Sequence, residues 1–524
     1  MRHRRPATAR PFATSPAVAG FRPAGMALAV AGAFMGLAHA QGTGMQAIHG
    51  AASIATQGNQ TVITTQNGAG TSHSALNWQS FGVAAGATTQ FNQPNAQSTV
   101  INRVLGSNPS AILGTLSSNG KLVLVNPAGI AVGAGAVVDT AGFTASTLRM
   151  SDADALAGRL RFGDGLPGGA LNVSGQILAR SGDVVLIAPD VQVGSGALIQ
   201  SPGGATVLAA GQKVEVTGRG LEGIHLQVQA PEDQAVNLGS IRGDAVGIFA
   251  GTLRHSGLIS ATAATQEGGK VVLKGTQEAE IAGTVTAQKG VLGGQIHATA
   301  NKVMLKSGAV IDASGAAGGG EVLVGGGWQG KDARLANAQA TMAESGSTIR
   351  ADATGSGNGG TVVLWADGAT RFDGAISARG GANGGDGGQI ETSGKQSLSV
   401  GQATIDARAP LGRTGNWLLD PTNITLAGGA GAAADTVYEN TLEAAGANQV
   451  IAATNSTHTP TKVVHRKKTN HPSEVLNAAA TGTLASKRSM WMCVVWPVCW
   501  LLTFTCMACH LWRAASTCFH SLLS

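Results

Sequence analysis

Charged and aromatic side chains are scarce in this chain of 524 residues. Asp, Glu, Lys and Arg together make up 12% and Phe, Trp and Tyr 4%, whereas soluble domains average about 25% charged residues. The formal net charge of +6 comes mainly from basic residues at the two ends of the chain. A nucleic-acid-binding fold carries a basic stripe and stacking aromatics, and the body of this sequence has neither. We therefore expect no nucleic-acid partner.

Cysteine is absent from the first 492 residues. All five cysteines fall in the last 32 residues. A body without cysteine has no disulfides, so its core and its backbone hydrogen bonds must stabilise it. The five are Cys493, Cys499, Cys506, Cys509 and Cys518.

The sequence also lacks a recognisable catalytic or metal-binding constellation. Carboxylates are sparse, and the histidines of the body are scattered singly. Acid–base pairs, nucleophilic triads and metal sites all need such groups in a set. We therefore expect no enzyme, no catalytic residue, no metal and no cofactor. The histidines in question are His49, His73, His225, His255 and His297.

The N-terminus has the three parts of a secretory signal. Arginine-rich residues 1–22 precede the apolar stretch "MALAVAGAFMGLAHA", which ends in Ala38-His39-Ala40. A basic region, an apolar region and a small-x-small ending are typical of a cleaved signal peptide. The sequence therefore predicts a signal peptide over residues 1–40, a mature chain from Gln41, and export.

Glycine, by contrast, is abundant, with 77 residues and no Gly-X-Y period. A Gly-Gly pair followed by an alternating strand recurs from residues 203, 268, 293, 319, 359 and 387, as in "GGKVVLK" and "GGEVLVG". Counted from the second glycine, the spacings are 65, 25, 26, 40 and 28. Spacings near 25 suit one coil of a parallel β-helix, and the longer ones predict side insertions or coils that lack the pair.

The repeats predict an all-β solenoid. In such a fold Val271, Leu273, Val322 and Val324 point inward and stack with the same positions of neighbouring coils. We expect glycine and asparagine at corners with positive φ, and caps over the open ends. The alternative is a β-sandwich with long loops, although sandwich strands do not reuse one phrase at a near-constant step.

The composition changes near residue 454. Four of the eight tryptophans and all the cysteines lie in the last 34 residues. We interpret residues 454–524 as an atypical tail from a frameshift or a truncated gene. The alternative is a membrane anchor over residues 490–512, which are numerous and apolar enough to span a bilayer.

Three short motifs suggest ligands, and each also has a simpler explanation. Cys506-Met507-Ala508-Cys509-His510 matches the c-type haem attachment pattern, but it falls in the atypical tail. Residues 380–388, "GGANGGDGG", resemble one copy of a calcium-binding nonapeptide, or form a glycine-rich corner. Arg242-Gly243-Asp244 is an adhesive tripeptide that also suits a plain β-helix corner.

Residues 76–148 contain long ordered phrases, among them "NWQSF", "FNQPNA", "INRVLGSNPSAILGTLSSNGKLVLVNPAGI" and "GAGAVVDTAGFTAST". Together these phrases resemble the secretion domain of two-partner-secretion exoproteins, the filamentous haemagglutinin family. Downstream, "TGNWLLDPTNITLA" is similar to repeat phrases of haemagglutinin-like and haem-utilisation members.

The resemblance implies a right-handed parallel β-helix with an N-terminal cap. It also implies passage through the Sec translocon, then recognition by the POTRA domains of an outer-membrane barrel that exports the chain. The function implied is that of a secreted or surface-bound adhesin with an unknown host-cell or bacterial ligand. A haem-binding exoprotein and a β-helix enzyme acting on polysaccharides are the alternatives.

The same resemblance divides the chain. Residues 41–165 correspond to the N-terminal part of the secretion domain, 166–427 to the repeat region and 428–453 to a linker. The family phrase Asn-Pro-Asn-Gly-Ile occurs here with Ala128 at its third position. The transporter-recognition residues implied are Asn92, Pro94, Asn95, Asn108, Pro109, Asn126, Pro127, Gly129 and Ile130.

Overall fold

Short strands dominate the computed structural model of this protein. It describes residues 42–459 except 164, 166, 167, 264–267, 432 and 454. The predicted signal peptide with Ala38, Ala40 and Gln41, and most of the tail including the Cys506–His510 motif, lie outside these residues. The described helical segments are α1 (Asp152–Ala157), α2 (Glu439–Ala444) and a 3-10 turn (Trp328–Gly330). None of the described helices is long and apolar enough to cross a membrane.

The described strands are numbered in chain order. The N-terminal strands are β1 (Gln46–His49), β2 (Ala51–Gln57), β3 (Gln60–Gln66), β4 (His73–Trp78), β5 (Thr88–Asn92), β6 (Thr99–Val104), β7 (Ser110–Ile112), β8 (Thr115–Ser118), β9 (Lys121–Val125), β10 (Ile130–Val132), β11 (Val137–Thr140), β12 (Gly142–Ser146), β13 (Leu160–Phe162) and β14 (Leu171–Val173). The central strands are β15 (Gln176–Ala179), β16 (Val184–Ala188), β17 (Asp190–Val193), β18 (Leu198–Ala210), β19 (Lys213–Val216), β20 (Ile224–Val228), β21 (Gln234–Asn237), β22 (Ser240–His255), β23 (Leu258–Ala263), β24 (Lys270–Ile281), β25 (Thr284–Lys289), β26 (Leu292–Gly293), β27 (Gln295–Thr299) and β28 (Lys302–Leu305). The later strands are β29 (Val310–Asp312), β30 (Glu321–Val324), β31 (Ala340–Ala343), β32 (Thr348–Arg350), β33 (Thr361–Ala366), β34 (Ala369–Phe372), β35 (Ala375–Ser377), β36 (Gln389–Gly394), β37 (Ser397–Val400), β38 (Thr404–Asp406), β39 (Asn416–Leu419), β40 (Asn423–Ala427), β41 (Thr436–Tyr438), β42 (Asn448–Ile451) and β43 (Asn455–Thr459).

Successive coils stack into three parallel sheets, which we call sheets A, B and C. Three long strands continue round a corner and so belong to more than one sheet. Strand β18 belongs to sheets A and B, β22 belongs to all three sheets, and β24 belongs to sheets B and C. This is the predicted parallel β-helix. Sheet A contains β5, β8, β11, β15, β18, β22, β23, β25, β29, β32, β35 and β38; sheet B contains β4, β6, β9, β12, β16, β18, β22, β24, β27, β30, β33, β36, β39 and β42; sheet C contains β7, β10, β14, β17, β21, β22, β24, β28, β31, β34, β37 and β41.

The core runs along the helix axis as columns of aliphatic side chains. The predicted inward residues Val271, Leu273, Val322 and Val324 are all fully buried in it. Each column buries apolar area continuously from coil to coil, so a coil depends on its neighbours. The column in sheet A consists of Leu116, Val138, Ile177, Ile199, Ile241, Ile259, Val285, Ile311, Ile349, Ile376 and Ile405.

A second apolar layer covers the outside of sheet B near its N-terminal end. Strands β13, β19 and β20 form a small antiparallel sheet, which packs with α1 over outward side chains of sheet B. Strand β9 is therefore buried on both faces: Leu122 and Leu124 lie in the inner core, and Val123 and Val125 in the outer cluster. Burial on both faces explains why this strand is a continuous apolar run rather than an alternating one.

The longer Gly-Gly spacings have two origins. The spacing of 65 contains two coils, because β22 forms a rung of sheet B between β18 and β24 without a Gly-Gly pair. The spacing of 40 contains one coil with a side insertion, residues 325–338, between β30 and β31. Both predicted explanations therefore occur in this chain.

The expected role of the glycine pairs was only partly right. Gly269 has a positive φ of 71°, but for the later pairs it is close packing that requires glycine. A Cβ on Gly360 would lie 2.0 Å from the carbonyl oxygen of Gly320, and one on Gly388 would lie 2.0 Å from that of Gly360. No asparagine among the described residues has a positive φ. The corners at Gly360 and Gly388 therefore exclude side chains because adjacent coils touch there.

Antiparallel strands close the N-terminal end of the helix. Strand β1 pairs antiparallel with β4, the first rung of sheet B. Strands β2 and β3 form an antiparallel hairpin, and β3 continues in parallel onto β5 of sheet A. This arrangement is the predicted N-terminal cap.

Candidate transporter-recognition site

Asn126 ends strand β9 at the corner between sheets B and C. Its side chain is fully buried, because the corner of the preceding coil lies directly against it. Its Nδ2 donates to the carbonyl oxygen of Asn108 at 3.0 Å and to Ser110 Oγ at 2.9 Å. Its Oδ1 accepts from the backbone N–H of Ala128 at 3.0 Å. One amide thus closes its own turn and joins it to the neighbouring turn.

The backbone adds further links between successive corners. The N–H of Ser110 donates to the carbonyl oxygen of Gly129 at 2.9 Å, and the N–H of Gly169 donates to that of Pro127 at 2.8 Å. Pro127 has no N–H, so it ends the strand of sheet B without leaving an unpaired donor. The Asn-Pro turns at residues 108–109 and 126–127 therefore lie one above the other.

Gly129 supplies the backbone shape that this corner needs. Its φ is 125°, which a residue with a Cβ rarely adopts. Ile130 follows with a fully buried side chain in the core and opens strand β10. Ala128 takes part through its backbone N–H alone, so alanine at the third position of the phrase keeps the turn intact.

Asn92, Pro94 and Asn95 lie at a different corner, between sheets A and B. Asn95 Oδ1 accepts from the backbone N–H groups of Gln97 and Ser98 at 2.9 and 3.0 Å, which makes an Asx turn. Strand β6 (Thr99–Val104) separates this corner from the one at Asn108, a distance of about 17 Å for a strand of this length. The implied site residues therefore form two groups rather than one.

Sequence reasoning missed Gln93 and Asn119, two residues that stabilise the corner between sheets A and B. Gln93 N–H donates to Asn119 Oδ1 at 2.7 Å, and Asn119 Nδ2 donates back to the Gln93 carbonyl oxygen at 2.8 Å. Buried Gln93 also donates through Nε2 to Ser118 Oγ at 2.8 Å. The only sequence signal was the recurrence of an Asn-containing turn at the same position of two successive coils.

The Arg242-Gly243-Asp244 tripeptide and the glycine-rich residues 380–388 both lie within the coils of the β-helix. Arg242 and Gly243 lie within β22, paired to strands on both sides, and Asp244 Oδ1 accepts from the N–H of Gly203 at 3.0 Å. Residues 380–388 form a glycine-rich corner in which Asp386 pairs with Arg413 at 2.7 Å. Within the described ranges, no group of three or more His, Cys, Asp or Glu side chains is placed to hold a metal ion.

The two corners, formed by residues 92–98, 107–110 and 126–130, contain no ionisable side chain, so their polar groups are side-chain amides, serine hydroxyls and backbone groups. A family model of the TPS secretion domain matches residues 38–322, more than half of the chain. The chain belongs to the TPS secretion-domain family. This TPS domain superimposes on the crystal structure of the HMW1 secretion domain from Haemophilus influenzae with a TM-score of 0.62 and 33% sequence identity, covering 72% of this chain and 100% of that one.

Two curated relatives of the TPS domain are named heme/hemopexin-binding protein, both from Haemophilus influenzae. One is 30% identical over 182 residues, covering 33% of this chain and 19% of the relative. The other is 38% identical over 78 residues, covering 15% of this chain and 8% of the relative. The chain therefore spans less than a fifth of the length of either relative.

Membership of the family carries several consequences. TPS exoproteins pass through the periplasm to the cell surface or the extracellular space. The family consists of exoprotein secretion domains and is not a known enzyme family. The match continues to residue 322, and the division of the chain between residues 165 and 166 stays a prediction.

Proposed function

We propose that this TPS exoprotein enters the periplasm through the Sec translocon, is exported by an outer-membrane barrel with POTRA domains, and acts at the cell surface as an adhesin. The transporter recognises the two corners centred on Asn126 and on Asn92 with Asn95. The adhesive ligand is a host-cell or bacterial surface group. The adhesive role of Arg242-Gly243-Asp244 remains a prediction from the sequence.

The observation that supports this proposal is the double role of the Asn126 amide. Its two donor bonds and one acceptor bond join the amide to two backbone groups and the Ser110 hydroxyl, in two successive coils. In an unfolded chain those same amide groups are free to bind a partner. The Asn-Pro phrase is therefore suited both to recognition before folding and to corner formation afterwards.

The test compares Asn126→Ala with Asn237→Ala, both expressed with the partner barrel. Asn237 is a matched control, because it is also fully buried and its Oδ1 also accepts from an N–H two residues on, at 3.0 Å. Each variant loses comparable buried hydrogen bonds, at a cost of about 1 to 3 kcal/mol. We expect the amount of protein in the medium to fall strongly for Asn126→Ala and little for Asn237→Ala.

Equal export of Asn126→Ala and wild type would contradict the recognition role. An equal loss in both variants would mean that export follows stability rather than the phrase. Asn95→Ala tests the second corner in the same assay. A defect in Asn95→Ala alone would place recognition at the corner between sheets A and B.

A second candidate function is haem binding. The names of the two curated relatives support it, since both share sequence with this chain. Titration of the secreted chain with haemin should then give a saturable change in the Soret band. A linear, non-saturable change would leave adhesion as the function.

A further inference from the structure

Residues 325–338 form a strap on the outer side of sheet B. The strap leaves after β30 and returns before β31, and its two ends are joined by the Ala338 N–H, which donates to the Gly325 carbonyl oxygen at 2.6 Å. Leu335 of the strap packs on a small apolar cluster of Leu323, Val363 and Trp365. The strap thus covers side chains from β30 and from β33.

The tip of the strap reaches two later coils through one residue. The backbone N–H of Gln329 donates to Glu391 Oε2 at 2.8 Å, and its side-chain Nε2 donates to Asp420 Oδ2 at 2.9 Å. Gln329 has a φ of 53°, a left-handed conformation that costs a residue with a side chain about 1 to 3 kcal/mol. The two carboxylates therefore hold the strap in a shape that it would not adopt alone.

Glu391 is fully buried beneath the tip. It points outward from β36, between Val363 of β33 and Leu418 of β39 in the register of sheet B. Its Oε1 has no hydrogen-bond partner among the described residues. A buried carboxylate with one unsolvated oxygen is far more costly as an anion than as a neutral acid.

The charged groups around Glu391 are few. Asp420, directly after β39, lies near it, and so does Lys331 of the strap, whose Nζ donates to Gln329 Oε1 at 2.9 Å. The strap's other charges, Asp332 and Arg334, pair with each other at 2.6 Å. Burial raises the pKa of Glu391 to about 7, with a smaller increase from Asp420 that Gln329, Ser393 and Lys331 oppose. Burial also raises the pKa of Asp420.

We propose that residues 325–338 form a pH-dependent clamp, docked across the coils of β30 to β39 while Glu391 is protonated and released when Glu391 ionises. The docked strap excludes water from Glu391 Oε1, so ionisation must either leave a desolvated anion or open the strap. Opening also relieves the conformation of Gln329. Because Glu391 and Asp420 follow the tip by 62 and 91 residues, the clamp closes only after those later coils have formed.

Hydrogen exchange of the full exported chain tests the clamp. We expect the protection factors of strap amides to fall about tenfold or more between about pH 5.5 and about pH 8.5, since the open state ionises more readily. Glu391→Gln keeps the shape of the side chain without its charge, and it should protect the strap equally at both pH values. Asp420→Asn removes a neighbouring negative charge that raises the pKa of Glu391, so it should move the transition to lower pH.

The control variant is Glu321→Gln. Glu321 is a carboxylate that pairs with His297 at 2.8 Å, outside the Gln329 contacts, so its variant should retain the wild-type transition. Strap protection that is independent of pH in the wild type would overturn the proposal. A wild-type pH dependence in Glu391→Gln would also overturn it, since the titrating group would then be another one.

Discussion

Three buried polar side chains of this β-helix, Asn126, Asn237 and His255, each connect two coils. Asn126 bonds to the turn of the preceding coil, and Asn237 Nδ2 lies 3.2 Å from His255 Nδ1 of the next rung. His255 Nε2 in turn lies 3.2 Å from the carbonyl oxygen of Thr284. Each group is satisfied by a neighbour in an adjacent coil, so these side chains fix the register of the stack as well as filling it.

His255 should make the stability of the fold depend on pH. Burial lowers the pKa of His255 to about 4 from its ordinary 6.5. Between those values the unfolded chain takes up a proton that the folded chain does not, so stability falls as the pH drops from about 6.5 to about 4. The loss amounts to about 3 kcal/mol for a difference of this size.

Denaturant unfolding of wild type and His255→Asn across this range measures the effect. Glu391 acts with the opposite sign, because its raised pKa stabilises the fold as the pH falls from about 7 to 4.5. The contribution of His255 is therefore the difference in the free energy of unfolding between wild type and His255→Asn at each pH. The pH dependence of the wild type alone does not give it, because it also contains the effect of Glu391. Parallel pH profiles for both would show that His255 does not titrate in this way.

At the scale of elements, the later corners between sheets A and B, which precede β30, β33 and β36, are built from stacked glycines. The N–H of Gly360 donates to the Ala351 carbonyl oxygen at 2.7 Å and closes the corner loop of its own coil, as Gly388 does with Ala378 at 2.7 Å. The same glycines lie against the glycine carbonyls of the preceding coil. A side chain at such a position would push two coils apart.

Gly360→Ala should therefore destabilise the protein. Its Cβ would lie 2.0 Å from the Gly320 carbonyl oxygen, and relief of that clash needs a shift of backbone, which costs about 1 to 3 kcal/mol. Gly135→Ala is the control, because a Cβ there meets no atom within 4 Å. Thermal unfolding should show a lower Tm for Gly360→Ala and an unchanged or slightly higher one for Gly135→Ala. Equal Tm values would contradict the packing role.

At the scale of the whole molecule, the fold is a one-dimensional stack. Apart from those at the two ends of the stack, each strand of sheets A, B and C pairs with the coil before it and the coil after it. The free energy of unfolding is then approximately a sum of the stabilities of single coils and of the interfaces between neighbouring coils. A destabilising substitution should therefore affect its own coil and the coils next to it most strongly. The outer layer of α1, β13, β19 and β20 strengthens the N-terminal part of the stack in particular.

Trp417→Ala tests this picture. Trp417 of β39 is fully buried and donates through Nε1 to Thr392 Oγ1 at 2.9 Å, and the loss of a buried tryptophan costs about 3 to 5 kcal/mol. We expect native-state hydrogen exchange to speed up in β36, β39 and β42 while β6, β9 and β12 stay protected. A uniform loss of protection along the chain would show instead that the whole solenoid unfolds as one unit.

The sequence by itself determined the solenoid, its inward residues and its family. The Gly-Gly phrases and alternating strands are local signals with a fixed period, and stacking repeats them, so Val271 and Val322 could be placed in the core before any contact was known. The turn at Asn126 could be predicted for the same reason, because the Asn-Pro pair at residues 126–127 separates two apolar runs that have the pattern of strands.

Only the tertiary structure decided which groups meet across coils. The contacts of Gln329 with Glu391 and Asp420 join residues far apart in the sequence, and no local pattern marks them. The outward burial of Val123 likewise depends on β13, β19 and β20, which arrive later in the chain. Periodic backbone geometry can be predicted from the sequence because it is local, whereas a side-chain partner depends on how insertions of different length lie over the stack.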